Sequence, residues 1–295
     1  MMDRYNVRTD LALEQRERFV SDQIEIPGVA VEETYDDMCE VRVTTVRIET
    51  ENGAAVMGKP VGNYITLEAP KMAEADESYH REISGKLMEV LERCLPEKED
   101  GQSILIIGLG NRNVTPDALG PLVVEHLDIT RHLVKEYGKY ALDGEANRLV
   151  SAVVPGVMGQ TGMETVEIVK GVVEETSPDL VIAIDALAAR NSRRLNRTVQ
   201  IADTGIHPGS GVGNHRNGLT KESLGVPVIG IGVPTVVDAA TIVNDTMENL
   251  INALETSEML KGVGDVLRTY SAAEKYELVK ELISPHLNGM FMTPK

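Results

Sequence analysis

The sequence predicts an α/β protein: a mostly parallel central sheet flanked by helices, with a smaller α+β region added at the N-terminus. Three observations predict it. Beyond residue 101, short apolar runs alternate with helix-length segments, the pattern of strands covered on both faces by crossover helices. Before that point the clearest strand alternates apolar and polar residues, as a half-buried strand does. Between the two patterns, residues 98–101 form a charged break too short to separate two free domains.

In chain order, residues 11–21 form a short amphipathic helix with Leu11, Leu13, Phe19 and Val20 on its apolar face. Residues 41–49 (VRVTTVRIE) alternate and are rich in β-branched side chains, so they form a strand. Glu51, Asn52 and Gly53 supply turn chemistry, and residues 54–69 follow as a broken strand region with bends or an edge at Gly58, Pro60 and Gly62. Residues 71–96 are polar and helix-prone. The apolar runs 103–109, 149–154, 180–184, 199–202 and 226–231 are strands, and 116–136, 164–176, 236–255 and 271–285 are helices by period.

Composition excludes several function classes. The chain has 295 residues, 29 Lys and Arg against 46 Asp and Glu, and a net charge of −17. Such a surface repels phosphate backbones and anionic lipid, so neither nucleic acid nor membrane is an expected direct partner. No run approaches the ~18 apolar residues of a spanning helix, and MMDRYNVRTD lacks the apolar core of a secretory signal. Cys39 and Cys94 fit reduced thiols in a cytoplasmic protein rather than a disulfide framework. Aromatic residues are 3% of the chain, too few for a base-stacking platform.

In open α/β sheets ligands bind beyond the carboxyl ends of the strands, so the residues after each apolar run are the candidates. The first run leads into GLGNRNVTPDALGP, which opens like a dinucleotide fingerprint. Asn113 stands where the third glycine belongs, and no acidic residue ends a second strand at the right distance. Asp117 lies at the mouth of that loop, and Asp185 ends the apolar run LVIAI. Two carboxyls in a partly desolvated site can divide acid and base roles around a water. Both could equally be helix-end residues. The run 205–213 could cradle an anion or be a tight loop that needs positive φ, and the second reading is favoured. His207 lies in that loop, and a lone histidine is more often structural than a ligand. Cys39 sits among Asp36, Asp37 and Glu40, which raise a thiol pKa, and Cys94 lies on an apolar helix face, so neither is an activated nucleophile. Arg190, Arg193, Arg194 and Arg197 form a basic cluster beyond Asp185: either a solvated face or a receptor for a substrate carboxylate.

NVRTDLALE, GKPVGNYITLEAP, GLGNRNVTPDALGP, PGVMGQTGMET, LVIAIDALAAR, IADTGIHPGSGVGN and GVPVIGIGVPTVVDA together resemble the spore germination protease family, from about residue 5 to the C-terminal helix. The resemblance implies an atypical aspartic-type endopeptidase of small acid-soluble spore proteins, with a fold similar to hydrogenase maturation proteases. By motif it places the essential acids on Asp117 and Asp185. It implies no cofactor. The related maturation proteases hold a metal with similar acids and a histidine, so Asp117, Asp185 and His207 are the ligands if one is used. It implies a zymogen that removes its own N-terminus by cutting after an acidic residue followed by a hydrophobic residue and Ala. Asp10-Leu11-Ala12 matches, which divides the chain into a propeptide (1–10), an N-terminal region (11–100) and a catalytic domain (101–295). Arg190, Arg193 and Arg194 are then candidates to bind the acidic residue before the cut. The family also implies a homotetramer located in the spore core cytoplasm.

Overall fold

The computed structural model describes residues 9–21, 26–74, 76–96, 101–138, 148–208, 217–239, 241–243, 245–247, 274 and 290–293. Helix α1 (Ala12–Ser21) leads to the hairpin β1 (Val29–Asp36) and β2 (Val41–Ile48). Helix α2 (Glu51–Met57), β3 (Gly62–Glu68) and α3 (Glu77–Glu92) follow. Then come β4 (Ser103–Gly108), α4 (Leu119–Glu125), α5 (Arg131–Tyr137), β5 (Leu149–Val153), α6 (Met158–Thr161), α7 (Thr165–Thr176), β6 (Leu180–Ala189), β7 (Thr198–Ala202), α8 (Lys221–Leu224), β8 (Val228–Asp238) and β9 (Phe291–Met292).

Among the described residues the strands form one sheet in the order β1-β2-β3-β7-β8-β6-β4-β5, with β9 paired to β8. The expectation of a mostly parallel sheet is corrected: the sheet is mixed. Only β8–β6, β6–β4 and β4–β5 are parallel joints. From β1 to β8 every joint is antiparallel. The misleading strand is β7. All five of its residues are buried, so it reads as a strand covered on both faces. Burial does not set direction; the connection does. Residues 190–197 are fewer than the dozen or so that a parallel crossover needs, so the chain returns antiparallel.

Local differences have local causes. Residues 51–57 are helical because the Thr50 side chain accepts the Gly53 N–H at 3.1 Å as an N-cap, and the helix ends at Gly58 with φ 64°. Helix 116–136 is broken into a 3₁₀ turn (Thr115–Asp117), α4 and α5. Strand β1 is an edge with an irregular exposure pattern, and it gave no alternating signal in the sequence. Residues 236–238 continue β8 rather than starting a helix. Residues 239, 241–243, 245–247 and 274 are helical, and the remainder of the expected C-terminal helices lies outside the described residues, as do residues 98–100 of the break.

Two apolar layers cover the sheet. One gathers Val41, Ile65, Leu67, Ile83, Ile104, Ile182 and Ile201, so it runs under both the antiparallel and the parallel strands. The other gathers Leu11, Leu105, Ile107, Val169, Val181, Leu187 and Val228 beneath α7.

Candidate active site

Pairing between β4 and β6 ends at Gly108 opposite Ile184, and Asp185 is the next residue of β6. The strand does not stop there, as the apolar run suggested; it continues to Ala189 along β8, with Asp185 opposite Gly232. Asp185 is thus held mid-strand and is 5% exposed, with Oδ1 accepting the Ala186 N–H at 2.9 Å. The helix-end alternative for this residue falls away.

Asp117 closes the 3₁₀ turn that leaves β4. The Asn111 N–H is shared between Asp117 Oδ2 at 2.8 Å and Asp117 O at 3.0 Å. The neighbouring Pro116 carbonyl accepts the Thr235 hydroxyl at 2.6 Å, which ties the turn to β8. The glycines of GLGNRN serve this packing. A Cβ on Gly110, whose φ is 109°, would lie 2.0 Å from Asp117 O. A Cβ on Gly120 would lie 2.3 Å from Leu109 O and 2.6 Å from Ile184 O. Helix α4 can therefore approach the ends of β4 and β6 only through glycine, and that contact sets Asp117 beside the open end of the parallel strands. Both carboxylates line one cleft of about 290 Å³, together with Gly156, Thr165, Ala188 and Asp10.

Asp10 reaches the cleft because the segment before α1 docks on β6. The Asp10 N–H donates to Ala188 O at 3.0 Å, and the Ala188 N–H donates to Asp10 Oδ2 at 2.9 Å. Leu11 and Ala12 are fully buried.

Residues 7–262 match a family model described as germination protease. The chain belongs to the germination protease family. Relatives of that name include those of Caldanaerobacter subterraneus (50% identical, covering 98% of this chain and 87% of the relative), Clostridium tetani (45%, 98% and 89%) and Bacillus subtilis (43%, 100% and 89%). The chemistry of this germination protease family member is therefore hydrolysis of peptide bonds.

The other expected site residues of this germination protease family member separate. Arg194 is 7% exposed and faces inward. Its guanidinium meets Glu14 at 3.2 Å, Glu17 at 2.6 Å and Glu68 at 2.8 Å. Burial works to lower its pKa, but Glu17, Glu14 and Glu68 more than offset this, so the cation is held above its ordinary value. Three carboxylates occupy Arg194, so it is not available to a substrate; Arg190 is half-buried and Arg193 exposed. Burial pushes the Glu14 carboxyl up, while Arg194, the Thr9 hydroxyl and the N–H groups of Arg190 and Asn191 pull it back down. These bonds fasten α1 to the loop after β6.

His207 lines a neighbouring pocket with Asp10, Lys59, Tyr64 and Gln200, not the cleft of Asp117 and Asp185. Partial burial, then the Lys59 cation, hold its pKa below the usual histidine value, against the pull of Asp10. Among the described residues, no group of three or more His, Cys, Asp or Glu could hold a metal. The Asp117, Asp185 and His207 donor set is not assembled. Gly205 has φ 85°, and a Cβ there would lie 2.1 Å from Leu219 O, so this glycine serves a tight turn; residues 209–216 lie outside the described residues. Sequence reading missed Glu14 and Gln200. Glu14 looks like a surface helix residue. Gln200 is the one polar interruption of the run VQIA, and a polar residue inside a buried run is itself a signal.

Proposed function

We propose that the protein is the endopeptidase that starts degradation of small acid-soluble, DNA-protecting spore proteins at germination. The observation that carries this reading is the convergence of Asp117 and Asp185 on one cleft from two separate elements. Two carboxyls around one water can act as base and acid in turn: one takes a proton as the water attacks the scissile carbonyl, and the other delivers one to the leaving nitrogen. No covalent intermediate is required. Arg190 and Arg193 supply positive charge near the open end of β6, which suits an acidic residue before the cut. The −17 charge keeps the enzyme off DNA, so it acts on substrate that has left it.

In this reading the chain is a zymogen whose residues 1–10 are removed by a cut between Asp10 and Leu11. The remaining chain works as a homotetramer in the spore core cytoplasm. Among the described residues no helix is long and apolar enough to cross a membrane.

The test is cleavage of a purified spore DNA-binding protein by wild type, Asp117→Asn and Asp185→Asn, with and without chelator. Each variant should lose about 10²–10⁴-fold in rate while keeping the wild-type circular dichroism, and chelator should have no effect. Folded variants with full activity would sink the reading. Loss of wild-type activity to chelator would make the aspartates metal ligands instead.

A further inference from the structure

The segment Asp10-Leu11-Ala12 is held by its main chain, in the way an enzyme holds a peptide. The Gln200 side chain reaches from β7 and brackets Leu11. Its Nε2 donates to Asp10 O at 3.2 Å, and its Oε1 accepts the Ala12 N–H at 2.7 Å. The carbonyl of one residue and the N–H of the second residue after it are the pair that a neighbouring strand would bond, so the amide stands in for a strand. Opposite it, Ala188 turns both its N–H and its C=O to Asp10. Ala188 lies on β6 three residues past Asp185, where β4 no longer pairs.

Register joins this clamp to the cleft. Gln200 and Asp185 both stand opposite Gly232 of β8. Residues in one cross-strand row project to one face of a sheet, and two strand spacings separate them by roughly 10 Å. The carbonyl that Gln200 holds is therefore on the same face as Asp185, within the length of an extended dipeptide. Leu11, the residue after that carbonyl, is fully buried and belongs to the apolar layer that includes Leu187 and Ile206.

We propose that Gln200 and the open edge of β6 at Ala188 form the main-chain-reading cradle for peptide substrates, that the Ala188 N–H receives the acidic side chain before the cut, and that Asp10-Leu11-Ala12 occupies this cradle as a substrate mimic. This rests on the protease reading above. Gln200 is a specificity and positioning residue: it orients the carbonyl to be attacked. Hydrolysis adds water across the Asp10–Leu11 bond, leaving a carboxylate on Asp10 and, once protonated, an ammonium on Leu11. That ammonium would sit at a fully buried position with the Thr9 acceptor of the Leu11 N–H gone. An unpaired buried charge is costly, so the new N-terminus leaves the cradle and opens it to substrate. One cut thus both removes the mimic and expels what remains of it.

The experiment uses full-length wild type, Gln200→Glu and Gln200→Met, each checked by circular dichroism. Gln200→Glu can still accept the Ala12 N–H but cannot donate to the carbonyl; Gln200→Met keeps the length and makes neither bond. N-terminal cleavage is followed by intact mass. Then kcat and KM are measured on a short peptide bearing Asp-Leu-Ala, with added wild type completing the processing where needed and removed before assay. Both variants should lose about tenfold or more in kcat/KM, the loss expected for one or two main-chain bonds, with Gln200→Glu no better than Gln200→Met. A merely structural anchor for α1 would leave the peptide kinetics of the processed enzyme unchanged, and that result overturns the cradle while the protease reading stands. A wild type that cuts nothing overturns the protease reading itself, and the cradle with it. Should the Gln200 variants misfold, the wild-type enzyme is compared on Asp-Leu-Ala peptides whose Ala amide is free or N-methylated. A tenfold loss on methylation supports the bond that the Gln200 Oε1 accepts from that N–H, and equal rates refute the cradle.

Discussion

One sheet holds two halves that are built differently. From β1 to β8 through β7 the strands run antiparallel, while β8, β6, β4 and β5 run parallel. The parallel half exposes the ends of its strands in one direction, and there the 3₁₀ turn and β6 place Asp117 and Asp185. The antiparallel half has no such end. It offers side chains across its face instead, and there Gln200, with Arg194 just before β7, receives α1 and the segment before it. In the reading proposed above, the parallel strands supply the chemistry, and Gln200 of the antiparallel half shares with Ala188 the holding of the peptide that meets it.

The strongest way to break this comparison is at Arg194, which fastens α1 to the sheet. Arg194→Ala leaves Glu14, only 1% exposed, without its cation. Removing one partner of a buried pair costs about 3–5 kcal/mol. The urea midpoint should fall accordingly, and cleavage after Asp10 should become less selective as α1 loosens. An unchanged midpoint would mean that the Thr9 hydroxyl and the N–H groups of Arg190 and Asn191 suffice to hold Glu14. The loss at Arg194 should exceed that of any exposed pair, such as Arg47 with Glu32, for which less than about 1 kcal/mol is expected.

The second test acts on the parallel half. Gly120→Ala puts a Cβ against three backbone atoms: Leu109 O, Leu109 N and Ile184 O. Backbone cannot swing aside as a flexible side chain can, so α4 must shift. Overpacking of this kind costs about 1–3 kcal/mol, and the shift moves the turn that carries Asp117. Activity should therefore fall further than stability predicts, in kcat more than in KM. Equal and small losses in both would separate the glycine packing from the site.

What the sequence made legible follows the same division. The parallel strands are short apolar runs, and Asp117 and Asp185 could be picked from the residues that follow them, because chain direction dictates where such sites lie. In the antiparallel half β2 was legible from its alternation, β3 as the later part of the broken strand region 54–69, and β7 as a strand though not in its direction. Strand β1 is an exposed edge, α2 depends on a single cap at Thr50, and β7 is buried like a parallel strand. The partners of Arg194 were illegible for another reason. Glu14, Glu17 and Glu68 come from α1 and β3, far from Arg194 in sequence, and a buried cation has the same letter as a solvated one. Gln200 was hidden likewise, since its meaning lies in the peptide it touches.

The smallest effect, and the sharpest comparison, uses the two thiols, both before the break at residues 98–101. Cys39 lies in the turn between β1 and β2 and is 8% exposed; Cys94 is half-buried just after α3. Burial, then the Asp36 carboxylate, push the Cys39 thiol up, and burial followed by Asp203 does the same for Cys94. A raised pKa means less thiolate at any pH below it, so both should alkylate more slowly at pH 8 than a free cysteine, with the gap narrowing as pH rises. Below the unfolding transition the effect is only one of rate. In rising urea the same labelling tells whether the N-terminal region opens by itself. Cys39 belongs to an apolar layer that also contains Ile104, Ile182 and Ile229 of the parallel strands, so its surroundings are shared by both halves, although a smaller cluster of Val46, Ile48, Met57 and Tyr64 lies almost wholly within the N-terminal region. Labelling of Cys39 should therefore rise at the same urea concentration at which the far-ultraviolet circular dichroism is lost. Labelling at a lower concentration would show that residues 11–100 separate first, and that the antiparallel half is an added unit rather than part of a single cooperative sheet.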